Sequence, residues 1–372
     1  MIAPKHFVDS LAKQGIDYYA GVPDSLLKDF CAYVDDHGAS GKHIITANEG
    51  NAVGLAAGYH MATGKCPLVY LQNSGLGNII NPLTSIADKE VYSIPMLLVI
   101  GWRGEPDVKD EPQHVKQGRI TAEQLDLLEI PYKIVDESCD AEELAAWAKG
   151  TLEQTSAPVA FLVKKGAFST YKSQRKVTMG SSLGRETALN ALLPLIGDAC
   201  VVSTTGKTSR EVFELRAQRN EAQRDFLTVG GMGHTLSIGL GVAMGQPDKQ
   251  VVCIDGDGSV LMHLGALPIV GSIAPSNLVH VLLNNAAHES VGGQPTVADT
   301  TDFKAIAFAS GYAAYAIAST LEGLTNAWHE LAAQNGPVML EVRIANGSRD
   351  DLGRPTSTPI ENKQAFMNWV AR

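Results

Sequence analysis

The chain has 372 residues, of which 45% are hydrophobic and 19% charged; the length fits two domains and the composition supplies two buried cores. Its net charge of −10 disfavours nucleic acid and anionic membrane as partners, since both need a positive surface, so an anionic ligand has to meet a local cluster of Lys and Arg. The five cysteines show neither CxxC nor CxxxC spacing, which removes a zinc site and a disulfide framework, and no apolar run reaches membrane-spanning length.

The amino-terminal residues Met1 to His6 lack a signal-peptide core, and a cytoplasmic protein is expected. From about Pro4 the pattern predicts a helix, then a short strand Asp17 to Ala20, the turn Gly21-Val22-Pro23-Asp24, and a second helix from Ser25. Asp24 reads either as the cap of that helix or as an acid at the mouth of a site. Ala47 to Tyr59 predicts a helix rich in small residues, which lets another helix or a ring system approach closely. Glu49 lies near its amino end, where the helix dipole alone favours a carboxylate. A strand at Leu68 to Leu71 leads into the loop Gln72 to Asn78, whose Asn73 and Gly75 suit either a site lining or an anion-binding helix start. Strands at Met96 to Ile100 and Val159 to Val163, with a helix near Ala141 to Glu153, complete one doubly wound domain over residues 1–168.

Residues 169–184 are polar and poor in large apolar side chains, and read as a linker with no middle domain. A second doubly wound domain, 185–372, starts with a helix from Arg185 and continues with strands near Cys200 to Ser203, Phe226 to Val229, Val251 to Ile254, Leu278 to Leu283 and Val338 to Val342. The fold class is therefore α/β, with two parallel-sheet domains. After the first of these strands come Thr205, Lys207 and Arg210. They can be a solvated helical turn, but basic groups there oppose the helix dipole. Gly230-Gly231-Met232-Gly233-His234 is a glycine turn before a helix from Thr235.

The most specific signal is Gly256-Asp257-Gly258-Ser259 after one buried strand and Asn284-Asn285 after the next, with Leu261 to Ile273 long enough to be the crossover helix. One carboxylate and one amide oxygen at neighbouring strand ends suit an octahedral Mg²⁺ that also takes diphosphate oxygens, and the glycines Gly256 and Gly258 let phosphate approach the backbone. An ordinary Asp-Gly turn is the competing account.

These residues resemble the thiamine diphosphate and Mg²⁺ motif of the thiamine diphosphate-dependent decarboxylases. The resemblance implies that Asp257, Asn285 and the Ala287 carbonyl hold Mg²⁺, with Gly256, Gly258 and Ser259 against the diphosphate. It further implies that Glu49 contacts the aminopyrimidine N1′, that the Gly230 carbonyl accepts from N4′, and that Met232 is the wedge under the bent cofactor. The segments Lys109 to His114, Ser203 to Glu211 and Asp351 to Thr356 resemble a narrower group, the phosphonopyruvate decarboxylases. That likeness implies His114 as a proton-transfer group, Asp24 as a second candidate, and Lys207, Arg210 and Thr205 as contacts of an anionic keto acid. It also implies a homodimer or larger homo-oligomer, in which the pyrimidine domain of one chain faces the diphosphate domain of another. Val291 stands where other keto-acid decarboxylases have a glutamate, which leaves open which group protonates the product. Two rival readings are a sulfopyruvate decarboxylase, since both substrates are tetrahedral anions, and a non-catalytic nucleotide-binding or regulatory α/β protein.

Overall fold

Strands made of Val, Ile and Leu with no polar face are satisfied only when both sides of the sheet are covered, and both halves of the chain meet that demand with a parallel sheet between helices. A computed structural model describes residues 1–372 apart from Ser40, Lys176 and Thr178. The last two fall within the expected linker, which to that extent lies outside the described residues. The chain forms two units, Met1–Lys176 with Ser290–Pro295, and Val177–Glu289 with Thr296–Arg372.

The first unit carries β1 (Tyr19–Gly21), β2 (His43–Ile45), β3 (Leu68–Gln72), β4 (Leu97–Gly101), β5 (Tyr132–Val135) and β6 (Val159–Val163). They pair in parallel in the order β2-β1-β3-β4-β6-β5. Leu68 and Tyr70 pack on one face with Phe7, Phe30 and Phe161, while Val69 and Leu71 pack on the other with Ala52, Ala56 and Ile79. That two-residue alternation is the strand period with both faces buried.

The second unit carries β7 (Cys200–Ser203), β8 (Phe226–Leu227), β9 (Val251–Gly256) and β10 (Leu278–Asn284). The two-residue strands β11 (Ala287–His288) and β12 (Gln294–Pro295) follow in the chain, then β13 (Ala314–Ala318) and β14 (Val338–Arg343). The six-stranded sheet has the order β13-β14-β10-β9-β7-β8, again parallel. Val252 and Ile254 face Leu189 and Leu340, and Val251 and Cys253 face Leu240 and Leu267.

Besides the two-residue strands β11 and β12, three strands of the main sheets were not expected from the sequence: β2, β5 and β13. Each lies at or next to solvent at a sheet edge, so one or more of its residues is exposed and the apolar run that marks a buried strand is broken. The expected crossover helix is two helices, Asp257–Met262 and Ala266–Ile273, broken at His263. No helix among the described residues is long and apolar enough to cross a membrane.

In an open parallel sheet, ligands bind beyond the carboxyl ends of the strands where the winding direction reverses. The chain passes from β1 to β2 on one side and then to β3 on the other, and likewise from β7 to β8 and then to β9. The first switch point sets Asp24 and the Asn73 loop at one sheet end. The second does the same for Thr205, Lys207 and the Gly256 to Ser259 motif.

Candidate active site

In the first unit, Asn48 caps the helix Glu49–Thr63 by accepting from the Gly50 N–H at 2.7 Å, and Gly64 closes it in the left-handed region at φ 70°. Glu49 therefore opens the first turn, buried at 5% exposure, and accepts from Asn78 Nδ2 at 2.7 Å. Burial raises its pKa and the Asn78 bond opposes that rise. Gly75 leaves the space for this carboxyl: a Cβ there would stand 2.5 Å from Glu49 Oε1. Gly75 thus acts on the site through Glu49. Asn73, expected to line the site or to open an anion-binding helix, is wholly buried. Its Nδ2 donates to the Arg103 carbonyl at 2.8 Å and to Thr121 Oγ1 at 2.9 Å, and its Oδ1 accepts from the Arg103 N–H.

The helix after β1 starts at Lys28 and not at Ser25, with Leu27 at its cap position and no side-chain cap; Asp24 Oδ2 accepts from Leu26 N at 2.8 Å and Leu27 N at 3.3 Å in the bend before it, while its buried Oδ1 has no hydrogen-bond partner. Burial pushes its pKa up to about 6. The expected helix cap is therefore not made by Asp24, which orders the bend that precedes the helix.

His114 sits in the first turn of the helix Pro112–Leu127 and is buried. Its Nδ1 lies 3.0 Å from Asp110 Oδ1. A carboxylate only accepts, so Nδ1 carries the proton and Nε2 is left as the ring's acceptor when the imidazole is neutral. Asp110 is itself fixed by both arms of Arg103 and by the N–H groups of Gly104 and Glu111. Burial would raise the Asp110 pKa, but Arg103, His114 and these amides together hold it well below the usual carboxylate range. For His114, burial lowers the pKa and Asp110 opposes it. In the sequence Asp110 stands within the Lys109 to His114 motif, and its position four residues before His114 is the available sign of the pair.

In the second unit, Leu283 of β10 pairs with Gly256 of β9, so Asp257 and Asn284-Asn285 leave adjacent strands at the same sheet end. Asp257 is buried at 3% exposure, accepts from Thr296 Oγ1 at 2.5 Å, and has its pKa pushed up to about 6 by burial. The Thr296 hydroxyl and backbone N–H donors, all neutral, lower that value without cancelling it. A buried carboxylate held by neutral donors is the environment that a divalent cation would compensate. Asn285 supplies the neighbouring amide oxygen, which accepts from Ala287 N at 3.2 Å, and Ala287 is buried beside it. This donor set fits Mg²⁺. Asn284, by contrast, turns inward to Glu341, its Nδ2 donating at 3.1 Å.

Ser259 is buried, and its Oγ accepts from the Gly233 N–H at 3.0 Å, which ties the Gly230 to His234 loop to the Gly256 motif. Gly231 and Gly233 have φ of 66° and 91°, and Met232 between them is half-buried. Gly256 has open space where a Cβ would stand, whereas one at Gly258 would meet the His288 ring at 3.2 Å.

The basic residues are engaged. Lys207 Nζ donates to Glu289 Oε1 at 2.7 Å. Arg210 donates to the carbonyl of Gly353 at 2.6 Å and to that of Leu352. Thr205 is half-buried in the turn before the Lys207 helix. Glu289 also accepts from Arg185 and from Asn285, a junction the sequence did not disclose.

Residues 1–127 match the family described as thiamine pyrophosphate enzyme, N-terminal TPP binding domain, and residues 204–342 match its C-terminal TPP binding domain. Over the full chain, the sequence is 38% identical to a phosphonopyruvate decarboxylase of Streptomyces viridochromogenes and 36% identical to that of Streptomyces hygroscopicus, covering 95% and 94% of those proteins. A sulfopyruvate decarboxylase of Methanosarcina acetivorans is 28% identical, again over the full chain and 98% of that protein. Two parallel sheets with a buried acid at each switch point, two thiamine pyrophosphate domains, and phosphonopyruvate decarboxylases 38% and 36% identical over the full chain lead to one conclusion: the chain belongs to the phosphonopyruvate decarboxylase family of thiamine diphosphate-dependent carboxy-lyases.

Proposed function

We propose that this protein decarboxylates phosphonopyruvate to phosphonoacetaldehyde and CO₂, with thiamine diphosphate and Mg²⁺, as a cytoplasmic homo-oligomer in phosphonate biosynthesis. When bound, the cofactor supplies the electron sink for loss of CO₂. The protein's own groups do the rest. Glu49 would meet the aminopyrimidine with its buried carboxyl, whose pKa burial raises. Asp257, the Asn285 amide oxygen and the Ala287 carbonyl would hold the metal, with Gly256, Gly258 and Ser259 beside the diphosphate and the Gly230 to Met232 loop beneath the rings. His114, oriented by Asp110, and Asp24, with one unpartnered oxygen, are the proton-transfer candidates.

The observation that carries the chemistry is Glu49, an acid buried at a helix start in a pocket left open by Gly75. A protein that only bound a diphosphate would have no use for it. Glu49→Gln is expected to keep thiamine diphosphate binding while decarboxylation falls by roughly 100-fold or more, the range of a lost proton-transfer group; near-normal turnover would remove the role.

The substrate rests on the full-length relatives. Lys207, Arg210 and Thr205 remain the proposed anion contacts, and Lys207 also donates to Glu289. Parallel assays on phosphonopyruvate, sulfopyruvate and pyruvate test this choice. A preference for either of the last two would overturn it.

A further inference from the structure

We infer that Glu289 is a positioning residue that sets which end of the Asn285 amide can serve a metal, an inference that rests on reading Asp257 and Asn285 as the metal site. An amide has two ends of nearly equal shape, and only the oxygen can ligate a cation. Glu289 Oε2 lies 3.0 Å from Asn285 Nδ2. Because a carboxylate accepts and cannot donate, the end of Asn285 facing it must be the NH₂ group, and the oxygen is held at the other end, where it already meets the Ala287 N–H.

Glu289 is well placed to do this because it cannot easily turn away. It begins the short turn Glu289–Val291, four residues after Asn285, and its side chain folds back toward the strand end. Its Oε1 accepts from Lys207 at 2.7 Å and its Oε2 from Arg185 at 3.0 Å. Arg185 is in turn clamped by both oxygens of Glu211, at 2.8 and 2.9 Å, and both of those residues are buried. Two cations and two carboxylates make the cluster neutral, so it need not draw in a further counter-ion. Its fixed point is the buried Arg185 and Glu211 fork, a bidentate geometry that resists rotation. The same junction engages Lys207, so the carboxylate that orients the amide also governs the ammonium proposed to meet the substrate.

Groups that hold metal ligands in place usually contribute about 10- to 100-fold to metal affinity. Calorimetric titration of Mg²⁺ into the purified full-length protein saturated with thiamine diphosphate reads this without turnover. Glu289→Gln can present either end of its own amide to Asn285, and is expected to weaken Mg²⁺ binding by about 10- to 100-fold. Glu289→Asp keeps the charge and shortens the reach, and is expected to weaken it by at least about tenfold; it also decides the matter should the Gln variant not fold. Mg²⁺ affinity within about threefold of wild type for Glu289→Gln would overturn the inference. So would a normal affinity for Glu289→Asp, since charge and not orientation would then be at work. Asp257→Asn is the separate arm: if it binds Mg²⁺ as the wild type does, the metal site itself has been misread, whatever Glu289 does.

Discussion

Asp24 and Glu49 are both acids buried in the first unit, and their surroundings give them different tasks. Glu49 has a neutral amide partner, whereas Asp24 has one oxygen on backbone N–H groups and one with none. Burial lifts Asp24 from 3.8 to about 6, so the folded chain prefers its protonated form. Below the unfolded value both states are protonated and the group is neutral in its effect. Between about 3.8 and about 6 the unfolded chain ionises the group while the folded chain still holds its proton, so stability falls across that window and levels off above it, by on the order of 3 kcal/mol relative to a chain without that acid. Asp24→Asn should therefore gain stability over wild type at pH 8 and lose that advantage near pH 4, measured by urea unfolding of the cofactor-free protein. A difference that does not change with pH would sink this account. Asp110 makes a second case. It opposes the burial that lowers the His114 pKa, so in Asp110→Asn the His114 pKa drops further and the acid limb of the kcat/KM profile moves to lower pH. An unmoved limb would separate His114 from that limb.

At the scale of elements, the strand-end loops decide the site because each is clamped to its neighbour. The Asn73 side chain ties the turn after β3 to the backbone after β4 and to Thr121 on the following helix. Asn73→Ala would strand those buried partners and should cost about 1–3 kcal/mol in unfolding free energy, read from the shift in urea midpoint. Gly75 tests the same turn in another way. A methyl group 2.5 Å from Glu49 Oε1 must push the carboxyl aside, so Gly75→Ala is expected to lower decarboxylation by about 100-fold while thiamine diphosphate still binds. Unchanged turnover would show that the Glu49 position is not critical. Core strands such as β3 and β9 were legible from their apolar runs. The edge strands β2, β5 and β13 were not, because an edge needs no continuous apolar run.

For the whole molecule, the sequence separates the chemistry into two halves, with Glu49 in one unit and Asp257 in the other. The resemblance implies that such halves work between chains. Light scattering coupled to gel filtration should accordingly give a mass of at least two chains at micromolar concentration, and a monomer that still decarboxylates its substrate would contradict it. One short stretch, Ser290–Pro295, groups with the first unit although it lies far along the second half. Nothing in its composition announced this, since a return of the chain is a matter of topology.

The sequence by itself determined the α/β class, the parallel strands of both cores and the residue types at each strand end. Those properties are local: an apolar run calls for cover on both faces, and Asp, Asn and Gly at a strand end carry their chemistry wherever the strand goes. Only the tertiary structure decided the partners. Thr296 reaches Asp257 across 39 residues, Lys207 reaches Glu289 across 82, and Arg210 reaches Leu352 and Gly353 across 142 and 143. No spacing rule links positions so far apart. They meet because parallel strands with helical crossovers bring their carboxyl ends to the same edge of a sheet, and there Lys207 finds its counter-charge in Glu289.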